Sequence, residues 1–202
     1  LLPSDIYLIC VPTPIKKKSG KVYPDTDYVF QAIDEIKKII KPNDSVIIES
    51  TCPPGTTDLA FKKIGLNNKI TMAYCPERIL PGNLIQELIY NDRIVGGVNN
   101  KSSKIIGDFY KNFCKGEINY CNSLTAEIVK LAENSFRDIN IAYANSLSLI
   151  ADKLNISAIE IIKLANKHPR VKILDPGIGV GGHCIPVDPW FLIDTFPKET
   201  NL

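Results

Sequence analysis

No apolar run in the 202-residue sequence is long enough to cross a bilayer. No basic segment followed by an apolar one opens the chain, so no signal peptide is read either. Charge of one sign is also scarce. Lys and Arg number 24 against 22 Asp and Glu, a net +2, which is too little to argue for a nucleic acid or a membrane surface as partner. The six cysteines, Cys10, Cys52, Cys75, Cys114, Cys121 and Cys184, form no CxxC pair. His183 and Cys184 are adjacent with no second paired ligand set nearby, which argues against zinc or any other metal. The thiols therefore read as reduced, in a cytoplasmic protein. Absent too is the GxGxxG turn that usually opens a dinucleotide-binding α/β domain. The chain starts two residues before a proline, already close to a strand. It has no internal repeat and no low-complexity segment.

What is present is ordinary globular material, 45% hydrophobic and 23% charged, enough for a core in one or two domains. The first half alternates short apolar runs with helical patterns. "DIYLICVP", "SVIIEST", "KITMAYCP", "DRIVGGV" and "EINYC" read as strands, and "DYVFQAIDEIKKII", "TTDLAFKKIG" and "KSSKIIGDFYKNF" as helices. Val- and Ile-rich strands separated by helices predict βαβ units and a parallel, Rossmann-like sheet. The run Lys16, Lys17, Lys18 reads as a solvated loop. After Cys121 the texture changes. From Leu124 to about Leu154 apolar residues recur at helical spacing without Pro or Gly, and Ile128, Leu131, Ile139, Ala142, Leu149 and Ile150 fit one stripe. Such a long helix more often links domains or makes a dimer interface than stands alone. A shorter helix, "SAIEIIKLANK", follows. The expected division is an α/β domain over residues 1–121 and a helical domain over 122–202.

Four constellations could carry chemistry. "GVGGHCIPVDPW", residues 179–190, sets Cys184 in a turn stripped of side chains by Gly181 and Gly182. Glycine lets backbone approach a ligand, and a thiol there reads either as a nucleophile or as inert packing. Lys130 and Asn134, four apart, share a helix face with Glu127 nearby. They form either an exposed Glu–Lys pair or a cleft pair able to stabilise an oxyanion. "STCPPGTT", residues 50–57, ends a strand where open parallel sheets bind ligands, or is a plain strand-to-helix connection. "YCPERILPGN", residues 74–83, places Glu77 and Arg78 after another strand, with Glu77 a base or an ion-pair partner.

Together these segments resemble the UDP-glucose/GDP-mannose dehydrogenase family. "ICVPTP", "ESTCPPGTT", "CPERILPGN", "TAEIVKLAENSFRDINIAYANSLSLIA" and "GVGGHCIPVDPWF" occur in the family's order and cover nearly the whole chain. "CPERILPGN", "HPR" and "GGHC" are similar to its UDP-N-acetyl-mannosamine 6-dehydrogenase branch. Cys52 stands where the family more often has Val.

The resemblance implies oxidation of a nucleotide-sugar C6 alcohol to a carboxylate with two NAD, as a step toward surface polysaccharide precursors. It implies that Cys184 captures the aldehyde as a thiohemiacetal, later a thioester, with Lys130, Asn134, Asp188 and Glu77 as the other catalytic groups. Thr13, Thr51 and Glu77 would meet the cofactor. Arg78, Lys130, Asn134, Arg170, Gly181 and His183 would meet the UDP-sugar, Arg170 across a homodimer. The family's opening strand with its NAD turn and its closing nucleotide domain have no counterpart in the sequence. The chain therefore reads as an internal fragment, inactive alone. Two other readings stay open: a β-hydroxyacid dehydrogenase, whose helix also carries Lys and Asn four apart and which needs no nucleophilic cysteine, and a non-catalytic dimerisation module.

Overall fold

The computed structural model describes residues 1–66, 69–79, 82–182 and 184–200. Its contacts divide the chain into two units, Leu1–Lys130 and the remainder from Leu131. The first unit runs β1 (Ile6–Ile9), β2 (Ile15–Lys18), β3 (Lys21–Pro24), α1 (Asp27–Lys37), β4 (Ser45–Ile48), α2 (Thr56–Ile64), β5 (Thr71–Tyr74), α3 (Leu84–Tyr90), β6 (Arg93–Gly97), α4 (Asn100–Lys111) and β7 (Ile118–Asn122). The helix α5 (Ser123–Leu154) starts in this unit and continues into the second.

The main sheet has the order β1-β4-β5-β6-β7. β4 and β5 are buried at every position, because helices cover both faces of the sheet. Val46 and Ile48 join Val29, Ile33, Ala60, Ile64 and Met72 in one cluster, built with α1 and α2. Ile47 points the other way, to Ala73, Val95, Ile106 and Tyr110, in a cluster built with α4. A strand covered on both faces cannot alternate, so it reads as a continuous apolar run.

The Rossmann-like α/β expectation holds, with one correction to its parallel sheet. β1, β4 and β5 are parallel, and β6 and β7 are parallel to each other, but β6 runs antiparallel to β5. A parallel return needs a crossover that carries the chain back along the sheet. Among the described residues of the link from β5 to β6 the one helix is the seven-residue α3, none of it buried, and the chain turns back beside the end of β5. The sequence reading had placed no helix there.

The Lys16–Lys18 loop is also corrected. These residues form β2, paired antiparallel with β3. The turn between them is Ser19 and Gly20, both at positive φ, 50 and 78°, the two-residue geometry that matches strand twist. Lys16 bridges Asp25 at 2.8 Å and Asp27 at 2.7 Å.

In the second unit α5 is followed by α6 (Ala158–Ala165) and a short α7 (Pro189–Thr195) that the sequence reading had not anticipated. The helical content of this half is as expected. The apolar stripe on α5 lies mostly at the surface. Leu131 is fully buried, whereas Ile128, Ile139, Leu149 and Ile150 are exposed, with Phe136, Tyr143 and Leu154. Helical period marks apolar rows but does not say which row meets the protein's own core.

Candidate active site

In the first unit the candidate residues gather at the carboxyl ends of the parallel strands. Thr13 follows β1 and Thr51 follows β4, both half-buried. Ser50 draws these ends together: its hydroxyl accepts from the Val11 N–H at 2.7 Å and lies 2.8 Å from the Val11 carbonyl. Glu77 follows β5. Its Oε1 accepts the N–H groups of Arg78 at 2.6 Å and Ile79 at 2.7 Å, which curls the PER segment around the carboxylate. Its peptide carbonyl accepts from the Lys130 ammonium at 2.5 Å. The Arg78 side chain is exposed and reaches the Asp92 carbonyl at 3.3 Å.

The antiparallel return delivers Arg93 to this same edge. Its guanidinium is nearly buried, 3.7 Å from Glu49 and 4.0 Å from Glu77, and lies 4.6 Å over the Tyr110 ring. Tyr110 donates to Glu49 at 2.5 Å, and the Cys10 thiol donates to the other Glu49 oxygen at 3.3 Å. Partial burial and the Glu49 charge push Cys10 up to about 11. Burial pushes Cys52, Cys75 and Cys121 up as well, which keeps these thiols protonated and poorly nucleophilic.

Glu127 proves to be neither exposed nor paired with Lys130. It is fully buried. Its Oε2 accepts the Gly55 N–H at 2.6 Å, and its Oε1 accepts the Thr57 N–H at 2.8 Å and the Thr57 hydroxyl at 2.6 Å. The reason lies in α2. Its N-cap is Gly55, which has no side chain to satisfy the free N–H groups of the first turn. Glu127 supplies the missing acceptor from α5. Burial raises its pKa above the ordinary glutamate value, although the three donors pull it down. The uncapped Pro-Pro-Gly-Thr-Thr start was the available signal, and sequence reasoning missed it.

In the second unit Asn134 and Asp188 are both buried, and the Asn134 amide donates to Asp188 Oδ2 at 2.6 Å. Asp188 and Val187 both donate their N–H groups to the Cys184 carbonyl at 2.9 Å. The Cys184 residue itself is exposed. Gly179, Gly181 and Gly182 precede it at φ of 68, 72 and 76°, left-handed values open to glycine. Arg170 is exposed after α6, with its N–H on His168 Nδ1 at 3.3 Å. His183 lies outside the described residues. Lys130 and Asn134 stand one turn apart on α5, as their spacing requires. Among the described residues, no helix is long and apolar enough to cross a membrane.

Comparison with known proteins gives a consistent result. Residues 1–114 match the model of the UDP-glucose/GDP-mannose dehydrogenase family, NAD binding domain, and residues 124–201 match that family's central domain. A UDP-N-acetyl-D-mannosamine dehydrogenase from Methanocaldococcus jannaschii is 49% identical over 191 residues, 95% of this chain and 45% of the relative. One from Campylobacter jejuni is 48% identical over 212 residues, 98% of this chain and 52% of the relative. The solved structure of a UDP-D-ManNAc dehydrogenase from Pyrococcus horikoshii aligns with a TM-score of 0.92 at 43% identity, covering 98% of this chain and 48% of that one. The chain spans about half the length of the curated relatives it matches.

Proposed function

Because the chain belongs to the UDP-glucose/GDP-mannose dehydrogenase family, we propose that this protein oxidises the C6 alcohol of a UDP-sugar to the uronate, with Cys184 as the covalent trap. The sugar in this reading is N-acetyl-D-mannosamine, carried over from the named relatives. The product suits a surface polysaccharide precursor. Two NAD, bound in turn, would each accept one hydride, the first from the C6 alcohol to give the aldehyde and the second from the cysteine adduct. The residues present fit such a cofactor at one edge: Thr13 and Thr51 follow adjacent parallel strands that Ser50 draws together, the edge where open parallel sheets take ligands.

The observation that carries the reading is the buried Asn134–Asp188 hydrogen bond, 2.6 Å long and four residues beyond Cys184. A buried amide and carboxylate satisfy each other there, which fixes the segment that holds the thiol. In the proposed chemistry the Cys184 sulfur adds to the C6 aldehyde carbon, and the aldehyde oxygen takes up a proton to give a thiohemiacetal. Loss of hydride and of that hydroxyl proton leaves a thioester. Water then attacks the carbonyl, the thiol leaves, and the carboxylate remains. Holding the aldehyde covalently prevents its escape between the two oxidations. Lys130 and Asn134 stabilise the negative oxygen, Glu77 takes the proton of the attacking water, and Arg78, Gly181, His183 and Arg170 meet the substrate. The exposed row Phe136, Ile139, Tyr143, Ile150 and Leu154 on α5 supports a homodimer through that helix. The six free thiols support a reducing, cytosolic setting.

The test is Cys184→Ala in the full-length protein, which is expected to bind UDP-N-acetyl-D-mannosamine but form no uronate. Uronate production by that variant at the wild-type rate would remove the covalent trap.

A further inference from the structure

The approach to the Cys184 turn is held by three asparagine side chains. The Asn140 amide donates to the Lys172 carbonyl and accepts the Leu174 N–H, both at 2.8 Å. Asn166 does the same for both backbone groups of Ile173, again at 2.8 Å. Asn145 accepts the Gly177 N–H at 2.8 Å and donates to the Gly179 carbonyl at 3.2 Å. Residues 172 and 174 thus turn to α5 while 173 turns to α6, the alternation of an extended chain. Each carboxamide offers a donor and an acceptor, so each does for this segment what a neighbouring strand would do.

The Asn145 pair sits at the foot of the turn that leads to the cysteine. A Cβ added at Gly179, Gly181 or Gly182 would meet no atom within 4 Å. What the fold itself requires of these three exposed glycines is their left-handed backbone. Three glycines within four residues are costly to order. Beyond Cys184 the chain is caught again where Asp188 is tied to Asn134 at 2.6 Å.

We propose that Asn145 is a positioning residue for Cys184. Its two-point grip on Gly177 and Gly179 fixes one end of the glycine loop on the helix to which Asn134 fixes the other. This rests on the reading of Cys184 as the reacting thiol. The grip matters because a nucleophile misplaced by about 1 Å can lose roughly a hundredfold in rate.

The test uses Asn145→Ala and Asn145→Asp, with Ser148→Ala, one turn along in the same cleft, as control. Amide exchange across residues 177–182 is read in the 202-residue chain against the exchange of β4. In Asn145→Ala the loop is expected to lose protection by about fivefold or more while β4 is unchanged. Asn145→Asp keeps the acceptor for Gly177 and loses only the donor to Gly179, so it carries the test should the alanine variant fail to fold. Its lost protection, corrected for intrinsic exchange, is expected to return below about pH 4, where the carboxyl regains a proton to donate. In the full-length protein Asn145→Ala is expected to cut kcat by about tenfold or more with KM changed less than about twofold. Loop exchange unchanged from wild type, or loosened equally with β4, overturns the proposal, as does an unchanged kcat. Failure of the underlying reading looks different: Cys184→Ala would then turn over normally, whatever Asn145 does.

Discussion

Removing the Glu127 carboxylate tests whether a cap supplied from α5 holds the start of α2. In Glu127→Ala the Thr57 N–H, in a fully buried residue, loses its acceptor, and so does the N–H of the half-buried Gly55. An orphaned buried donor costs about 1–3 kcal/mol, the fully buried one near the upper end. Relief from burying a charge offsets part of this. The expected net loss is about 2–4 kcal/mol, or a urea midpoint lower by roughly 1–2 M at an m-value of about 2 kcal/mol/M. Urea unfolding of the chain followed by circular dichroism reads it. The pH dependence gives a second measure. Burial raises the folded-state pKa of Glu127 above its value of 4.5 in the unfolded chain. A raised carboxyl pKa adds stability that is complete below 4.5 and is lost as pH climbs through the folded pKa. The advantage of wild type over Glu127→Gln is therefore expected to shrink from acid toward neutral pH. A loss below about 1 kcal/mol in Glu127→Ala would refute the cap. An advantage that grows with pH would show that the three donors outweigh burial.

Lys130→Met in the full-length protein is expected to lower kcat by about a hundredfold or more if the ammonium stabilises an oxyanion; a change confined to about 1 kcal/mol of stability would return Lys130 to a structural contact. Ile139→Asp, which puts a charge in the exposed α5 row, is expected to give a monomer in sedimentation velocity and wild type a dimer, and a dimeric variant would move the interface elsewhere. A comparison of kcat/KM for UDP-N-acetyl-D-mannosamine and UDP-glucose is expected to favour the former, and preference for UDP-glucose would change the branch but not the family.

The sequence disclosed whatever depends on local pattern. "SVII" read as a buried strand because both faces are covered, and the unbroken helical period from Leu124 gave α5 to within a residue. Lys130 and Asn134 came out on one helix face from their spacing alone. Strand direction leaves no such trace: the antiparallel return to Arg93 depends on how the 75–92 link lies in space. The β2–β3 hairpin hid because Ile15–Lys18 has one apolar residue and three lysines, with only Ser19-Gly20 to mark the turn. Glu127 was misread because its partners lie about 70 positions earlier, while Lys130, three residues on, offered a nearer match. The asparagine clamps were equally silent, since Asn140 and Asn145 meet backbone groups more than thirty residues away.

The reversal between β5 and β6 ties charge to topology. In an all-parallel sheet the start of β6 would sit on the opposite rim. Here it sits beside the ends of β4 and β5, so Arg93 stands between Glu49 and Glu77. The partial charge balance of the rim is thus inherited from chain direction. A redesign that replaced α3 with a full crossover helix would carry the guanidinium to the far rim with it. The two carboxylates would be left to repel, without the guanidinium that now stands near both. Grafting this site onto another doubly wound sheet therefore means transplanting the turn-back along with the residues, because a list of matching side chains would arrive one positive charge short.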